Sequence, residues 1–92
     1  MADDDPSVED LVEQIRAIKI SQFLRSTAAT IASLAYGKLD VGELDETRLA
    51  IDALAALVPL LEGDARRDLA QTRANLQLAY AAAVAAPVPP AQ

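Results

Sequence analysis

The sequence LAIDALAALVPLL, residues 49–61, contains only two residues that are not apolar, Asp52 and Pro59. On a helical wheel its apolar side chains occupy both sides, and a helix that is apolar all round requires burial on all sides. Pro59 has no backbone N–H to donate, so the regular helix is expected to end near Val58. The segment therefore predicts the central helix of a small helical protein, with neighbours packed around it.

The apolar residues of this helix form two opposed stripes. One stripe is expected to face the other helices of the chain, and it contains Ala50, Ile51, Leu54, Leu57, Val58 and Leu61. The opposite stripe contains Leu49, Ala53, Ala56 and Leu60. Since the chain supplies only two further helices, we expect this second stripe to be the interface with another copy of the protein. The prediction is a homo-oligomer, with a dimer as its simplest form.

The residues before this helix predict one long amino-terminal helix over residues 7–36. Ser7 is suited to its N-cap, with Asp10 three residues later, and Gly37 is suited to its C-cap. The apolar pattern changes phase near Ser21, so the alternative is that Ser21 caps a separate helix. The stripe before the change contains Val8, Leu11, Ile15 and Ile18, and the stripe after it contains Phe23, Thr27, Ile31 and Leu34.

The residues after Pro59 predict a third helix over residues 65–85. Asp45 is expected to cap the second helix, Gly63 to end it, and Asp64 to cap the third. The inward stripe of the third helix contains Leu69, Thr72, Leu76, Tyr80 and Ala83. The predicted fold is all-α: a small helical bundle in which a long amino-terminal helix precedes a helical hairpin, completed by dimerisation. Residues 7–86 form its one domain, between an acidic lead (residues 1–6) and a proline-rich tail (residues 87–92) that we expect to be disordered.

Composition limits the chemistry of the chain. Among its 92 residues there is no cysteine and no histidine, which removes thiol nucleophiles, imidazole bases and the usual zinc ligands. The net charge of −6 disfavours nucleic-acid binding. No apolar run reaches ~18 residues and the first residues are acidic, so we expect neither a membrane span nor a signal peptide. The expectation is a cytoplasmic protein that is not an enzyme and has no cofactor or metal.

Asp52 is the one charged residue within the apolar segment. An unpaired charge at a buried position is costly, so Asp52 is a candidate buried polar residue. The functional interpretation is a carboxylate that contacts a ligand or another protein. The structural interpretation, which we favour, is an acid paired with Arg48 one turn earlier or with an arginine of another helix.

Three motifs stand out along the helices: Leu44-Asp45-Glu46-x-Arg48-x-x-Ile51-x-Ala53-Leu54-Ala55-x-Leu57, the closing Leu76-Gln77-Leu78-Ala79-Tyr80, and Ala29-x-x-Ala32 leading into Tyr36-Gly37. Together they resemble a family of small bacterial helical domains, the domain of unknown function numbered eighteen forty-four. The resemblance covers residues 23–84, and the motifs as they stand here are similar to those of actinobacterial members in particular. The connection near Gly63 is shorter than is usual in that family. The resemblance implies a helical fold, and it implies no activity and no functional residues.

The function that these patterns favour is that of a structural or interaction protein that self-associates through its apolar helices. The alternative is a regulatory adaptor that contacts another protein and so binds a larger complex, such as one connected with translation. A small-ligand binder or an enzyme is the least favoured class, because histidine and cysteine are both missing.

Overall fold

The structure is a computed structural model that describes residues 7–86. It contains four α-helices, α1 (Val8–Ala17), α2 (Ile20–Asp40), α3 (Leu44–Leu57) and α4 (Gly63–Ala85), with a short 3₁₀ helix (Val58–Leu60) between α3 and α4. These helices account for 89% of the described residues, which include no strand. The predicted all-α class is therefore confirmed. The two tails, residues 1–6 and 87–92, lie outside the described residues.

The prediction of one continuous helix over residues 7–36 is wrong. Ser7 does cap α1, because its Oγ accepts a hydrogen bond from the Asp10 backbone N–H at 3.1 Å. The helix then ends at Ala17, and the next two residues, Ile18 and Lys19, have extended backbones before α2 begins. The break lies two residues before the Ser21 of the alternative prediction. It coincides with the change in phase of the apolar pattern, so that each helix can present its own apolar side independently.

Gly37 is not the C-cap of α2, although its position suggested one. The helix continues through Gly37 to Asp40, and Gly42 supplies the positive φ of +79° that reverses the chain. The Glu43 backbone N–H donates to the Lys38 carbonyl oxygen at 2.9 Å, and their side chains form an ion pair, Nζ to Oε2, also at 2.9 Å. The last residues of α2, up to Asp40, are thus stabilised by contacts across the connection to α3.

The two glycines should respond to alanine substitution in opposite directions. Gly37 lies inside a helix with nothing within 4 Å of an added Cβ, so Gly37→Ala should stabilise the protein by up to about 1 kcal/mol. Gly42→Ala should destabilise it by about 1–2 kcal/mol, because the left-handed backbone is strained for any residue with a Cβ. Urea unfolding followed by circular dichroism measures both, and equal shifts would contradict this account of the helix end.

The boundaries around Pro59 follow the sequence closely. The regular part of α3 ends at Leu57 and Pro59 lies in the 3₁₀ helix, as its missing N–H predicted. Both predicted N-caps are two residues off: Glu43 precedes α3 and Glu62 precedes α4, while Asp45 and Asp64 lie in the first turns. There their carboxylates still interact favourably with the positive end of the helix dipole.

The core lies between α2, α3 and α4. Its buried apolar side chains are Ala28, Ala32, Ala35, Ile51, Leu54, Leu61, Leu69 and Leu76. Buried Thr47 satisfies its hydroxyl by donating to the Glu43 carbonyl oxygen at 2.9 Å. The predicted stripe of the third helix is confirmed, since Leu69 and Leu76 are buried and Thr72, Tyr80 and Ala83 are half-buried.

The predicted inward stripe of α2 is wrong at its two largest residues. Phe23 and Leu34 are 57% and 58% exposed, whereas the alanines at 28, 32 and 35 contact the core. Small side chains let the backbone of α2 approach α3 and α4 closely, and this places the larger residues on the outside. Among the described helices, α2 packs on α3, α4 packs on both, and α1 contacts none of them. No helix in residues 7–86 is long and apolar enough to cross a membrane.

Candidate functional site

Large exposed apolar side chains lie on one side of the pair formed by α2 and α3. On α2, Phe23 and Leu34 are separated by three helical turns and therefore point in the same direction. On α3 and the 3₁₀ helix, the row is Leu49, Ala53, Ala56 and Leu60. We call these six residues together the hairpin face. Its four large side chains are between 57% and 64% exposed.

The two rows adjoin across a shallow groove of about 220 Å³. Leu34 lines it from α2, Leu49 and Ala53 line it from α3, and half-buried Ile31 lies at its base. The other helix, α4, meets α2 on the opposite side, at Ala28, Ala29 and Ala32. One side of the α2–α3 pair is therefore covered by α4, and the hairpin face is left open.

The hairpin face contains the whole predicted interface stripe. Leu49 and Leu60 are 64% and 61% exposed, Ala56 is exposed and Ala53 is half-buried. The opposed stripe contacts the core, with Ile51, Leu54 and Leu61 buried. Sequence analysis assigned the two stripes of α3 correctly within one chain, while the contact of the exposed stripe with a second copy stays a prediction.

The contribution of α2 to this surface was missed. Phe23 and Leu34 were expected to lie in the core because they are the largest apolar residues at helical spacing. The signal that could have placed them outside is the alanine row beside them, which favours a close helix contact. The hairpin face consequently includes two large exposed side chains of α2 in addition to the stripe on α3.

Charged side chains are found at one end of the groove. Lys38 and Glu46 line this end, beside the ion pair of Lys38 with Glu43. The hydrogen bond to Glu43, and then its negative charge, raise the pKa of Lys38 above its ordinary value. Lys38 therefore stays charged at neutral pH, so the groove has a polar end and an apolar middle.

Asp52 and Arg48 require a correction. Both side chains are exposed in the structure, so the expectation of a buried polar pair is wrong. Asp52 lies between the two apolar stripes of α3, on the part of the helix surface that no other helix of the chain covers. Asp52 was a candidate because burying an unpaired charge costs free energy. In one copy of the protein its carboxylate is exposed to water, so this cost does not arise.

Asp52→Asn should therefore leave stability nearly unchanged, within about 0.5 kcal/mol, as is usual for exposed positions. Chemical unfolding at a fixed protein concentration measures this. A loss of more than about 1 kcal/mol would show instead that the carboxylate is paired. Unchanged stability combined with the loss of a bound protein in a pull-down would support the adaptor alternative.

A second uncovered apolar surface lies on α1. Its apolar residues share one side of the helix, and all are exposed, from 37% at Val12 to 76% at Val8. We call this set the arm stripe; it consists of Val8, Leu11, Val12, Ile15 and Ile18. Because α1 contacts no other helix in residues 7–86, nothing in this part of the chain covers its amphipathic pattern.

Polar chemistry is sparse elsewhere in the described part of the chain. A groove of about 600 Å³ lies where α2 and α4 begin, and its charged residues are Arg25 and Glu62. Residues 7–86 contain no group of three or more acidic side chains placed to hold a metal ion. The arrangement offers apolar contact surface far more than it offers a reaction centre.

Comparison with family models, with curated proteins and with solved structures found no match to this chain. The resemblance to the bacterial helical family stays a prediction that rests on its three motifs. The functional argument consequently depends on the geometry of the hairpin face and the arm stripe.

Proposed function

We propose that the protein is a non-enzymatic structural or interaction protein that forms a homodimer through its hairpin face. The observation that carries this proposal is the open apolar side of the α2–α3 pair, where four large side chains are more than half exposed. Water contact with such a surface is unfavourable, and a fully buried side chain of this size gains about 1.5–3 kcal/mol. Covering all four therefore supplies several kcal/mol towards association.

A second copy is a suitable partner because the surface is concentrated on one side. Contiguous exposed apolar surface of this kind marks interaction sites in soluble proteins. A two-fold dimer covers the hairpin face of both copies at once, so that neither copy retains an open face. The absence of histidine and cysteine from the sequence supports the non-enzymatic part of the proposal.

Size-exclusion chromatography with light scattering tests the proposal directly. The chain has a mass of 9.7 kDa, and we expect twice this value at tens of micromolar protein, decreasing on dilution. A mass that stays at that of one chain over the whole concentration range contradicts self-association.

The adaptor alternative is favoured by one observation, the net charge of −6. An acidic helical protein attracts basic proteins, including those of translation complexes, and is repelled by nucleic acid. In this alternative the hairpin face is the docking surface for that partner and the free protein is a monomer. A pull-down from native lysate, repeated at high salt to weaken charge attraction, distinguishes it from the dimer.

A further inference from the structure

We infer that α1 is an exchanged arm, whose arm stripe lies on the hairpin face of the other copy in the dimer. The inference rests on the proposed self-association and identifies the element of the partner that covers the face. Two apolar surfaces in residues 7–86 lack a partner within the described part of the chain, and their lengths are similar. Val8 to Ala17 spans about 14 Å of helix, and Phe23 to Leu34 and Leu49 to Leu60 each span about 16 Å.

The area of either surface alone is too small for a stable dimer. A fully exposed apolar side chain of this size offers roughly 100 Å², so the four large residues of the hairpin face supply about 250 Å². A stable interface buries about 800 Å² per partner, of which about 500 Å² is apolar. The arm stripe adds roughly a further 270 Å², and the two surfaces together reach the required area.

The connection between α1 and α2 favours the other copy over the same chain. It consists of Ile18 and Lys19, both in extended conformation, and α1 contacts no other described helix of its own chain. For α1 to lie on its own hairpin face, these two residues would have to reverse the chain. An extended connection that leads an apolar element away from its own core is the arrangement found in proteins that exchange segments between copies.

The charges of α1 disfavour a membrane surface as the occupant. Helices that lie on membranes have lysine and arginine on the polar side, which attract anionic lipid. The polar side of α1 carries Glu9, Asp10 and Glu13 together with a single arginine, Arg16. A second copy, which offers an apolar face of matching length, is the better partner.

Cysteine cross-linking in the full chain tests the inference, because the natural sequence has no cysteine. One protein carries Ile15→Cys, in the arm stripe, and a second, tagged protein carries Ala53→Cys, in the groove of the hairpin face. After mixing and treatment with a short bis-maleimide, we expect a covalent species containing one copy of each. The matched control replaces Ile15→Cys with Glu13→Cys on the polar side of α1, and it should give several-fold less product.

A single protein that carries both Ile15→Cys and Ala53→Cys distinguishes the two possible positions of α1, on the hairpin face of the other copy or on that of its own chain. Cross-linked dimers at low protein concentration support exchange, whereas a cross-link within one copy overturns it. If the protein is a dimer but neither experiment gives a product above the Glu13→Cys control, the exchanged arm is wrong and the proposed dimer stands. If the natural chain is a monomer, both proposals fail.

A charge placed in the arm stripe provides an independent measurement. Because α1 contacts none of the other described helices, Ile15→Glu should leave the helix content of the protein intact and weaken the dimer at least about tenfold in Kd. The neighbouring Gln14→Glu adds the same charge outside the stripe and should have a much smaller effect. Equal effects of the two substitutions would overturn the inference, as would binding of monomeric protein to phosphatidylserine vesicles through the arm stripe.

Discussion

Ala56→Glu should convert the proposed dimer into a folded monomer at tens of micromolar protein. Ala56 lies in the middle of the hairpin face and is exposed in the single chain. A glutamate there meets only water in the monomer, whereas in the dimer its carboxylate is buried without a partner. That burial costs several kcal/mol, and every 1.4 kcal/mol weakens association tenfold. The dimer should therefore be lost without loss of the fold.

The neighbouring Ala53→Glu tests the same surface with an added cost. Ala53 is half-buried in the groove beside Leu34 and Leu49, so its substitution should dissociate the dimer and also unfold part of the protein. Ala74→Glu is the matched control, because Ala74 is an exposed alanine on the outer side of α4. It should change neither mass nor helix content.

Light scattering gives the mass of each variant and circular dichroism gives its helix content. An Ala56→Glu protein that stays folded with the mass of the natural dimer would falsify the assignment of the hairpin face as the interface. A change in mass with Ala74→Glu as large as that with Ala56→Glu would show that added charge, and not its position, is responsible.

Leu76→Ala should remove much of the stability of the protein. Leu76 is completely buried between α4 and its neighbours, and truncating such a side chain costs about 2–5 kcal/mol through lost burial and the cavity left behind. A domain of this size has about 5–15 kcal/mol in total, so a large part of the population could unfold at moderate temperature.

Leu78→Ala is a matched control only two residues away. Leu78 is 72% exposed, so the same chemical change should cost no more than about 0.5 kcal/mol. Urea unfolding of both variants at one protein concentration removes the contribution of association from the comparison. Similar losses at the two positions would show that the outer side of α4 is covered in solution.

The helix ends that depend on the chemistry of a single residue were predicted from the sequence. Pro59 ends the regular part of α3 because it has no N–H to donate, and Ser7 caps α1 through its own hydroxyl. Gly37 and Gly42 are chemically the same, so the sequence could not show which of them ends α2. The contacts of Lys38 with Glu43 across the connection determine it.

The sequence was also ambiguous about which side of α2 faces the core and which side is exposed. Helical spacing put Phe23 and Leu34 in one stripe of α2, together with Thr27 and Ile31, and this stripe was expected to face a neighbouring helix. The structure instead brings the alanine row to the core, since the gain from close packing extends along the whole helix. The break at Ile18 and Lys19 was missed because neither residue disfavours a helix strongly enough to mark an end. Four of the six residues of the hairpin face were predicted, from the stripe that begins on α3.

The alanine row of α2 has a consequence for which substitutions the protein tolerates. Ala28, Ala32 and Ala35 lie where two helices approach closely, so volume and not polarity limits what can replace them. Larger aliphatic residues would overpack the contact at about 1–3 kcal/mol each. A random library selected for folded protein should therefore retain only small residues, such as glycine and serine, at these positions. At Phe23 and Leu34 the same selection should admit side chains of many sizes, unless the selection also requires the dimer.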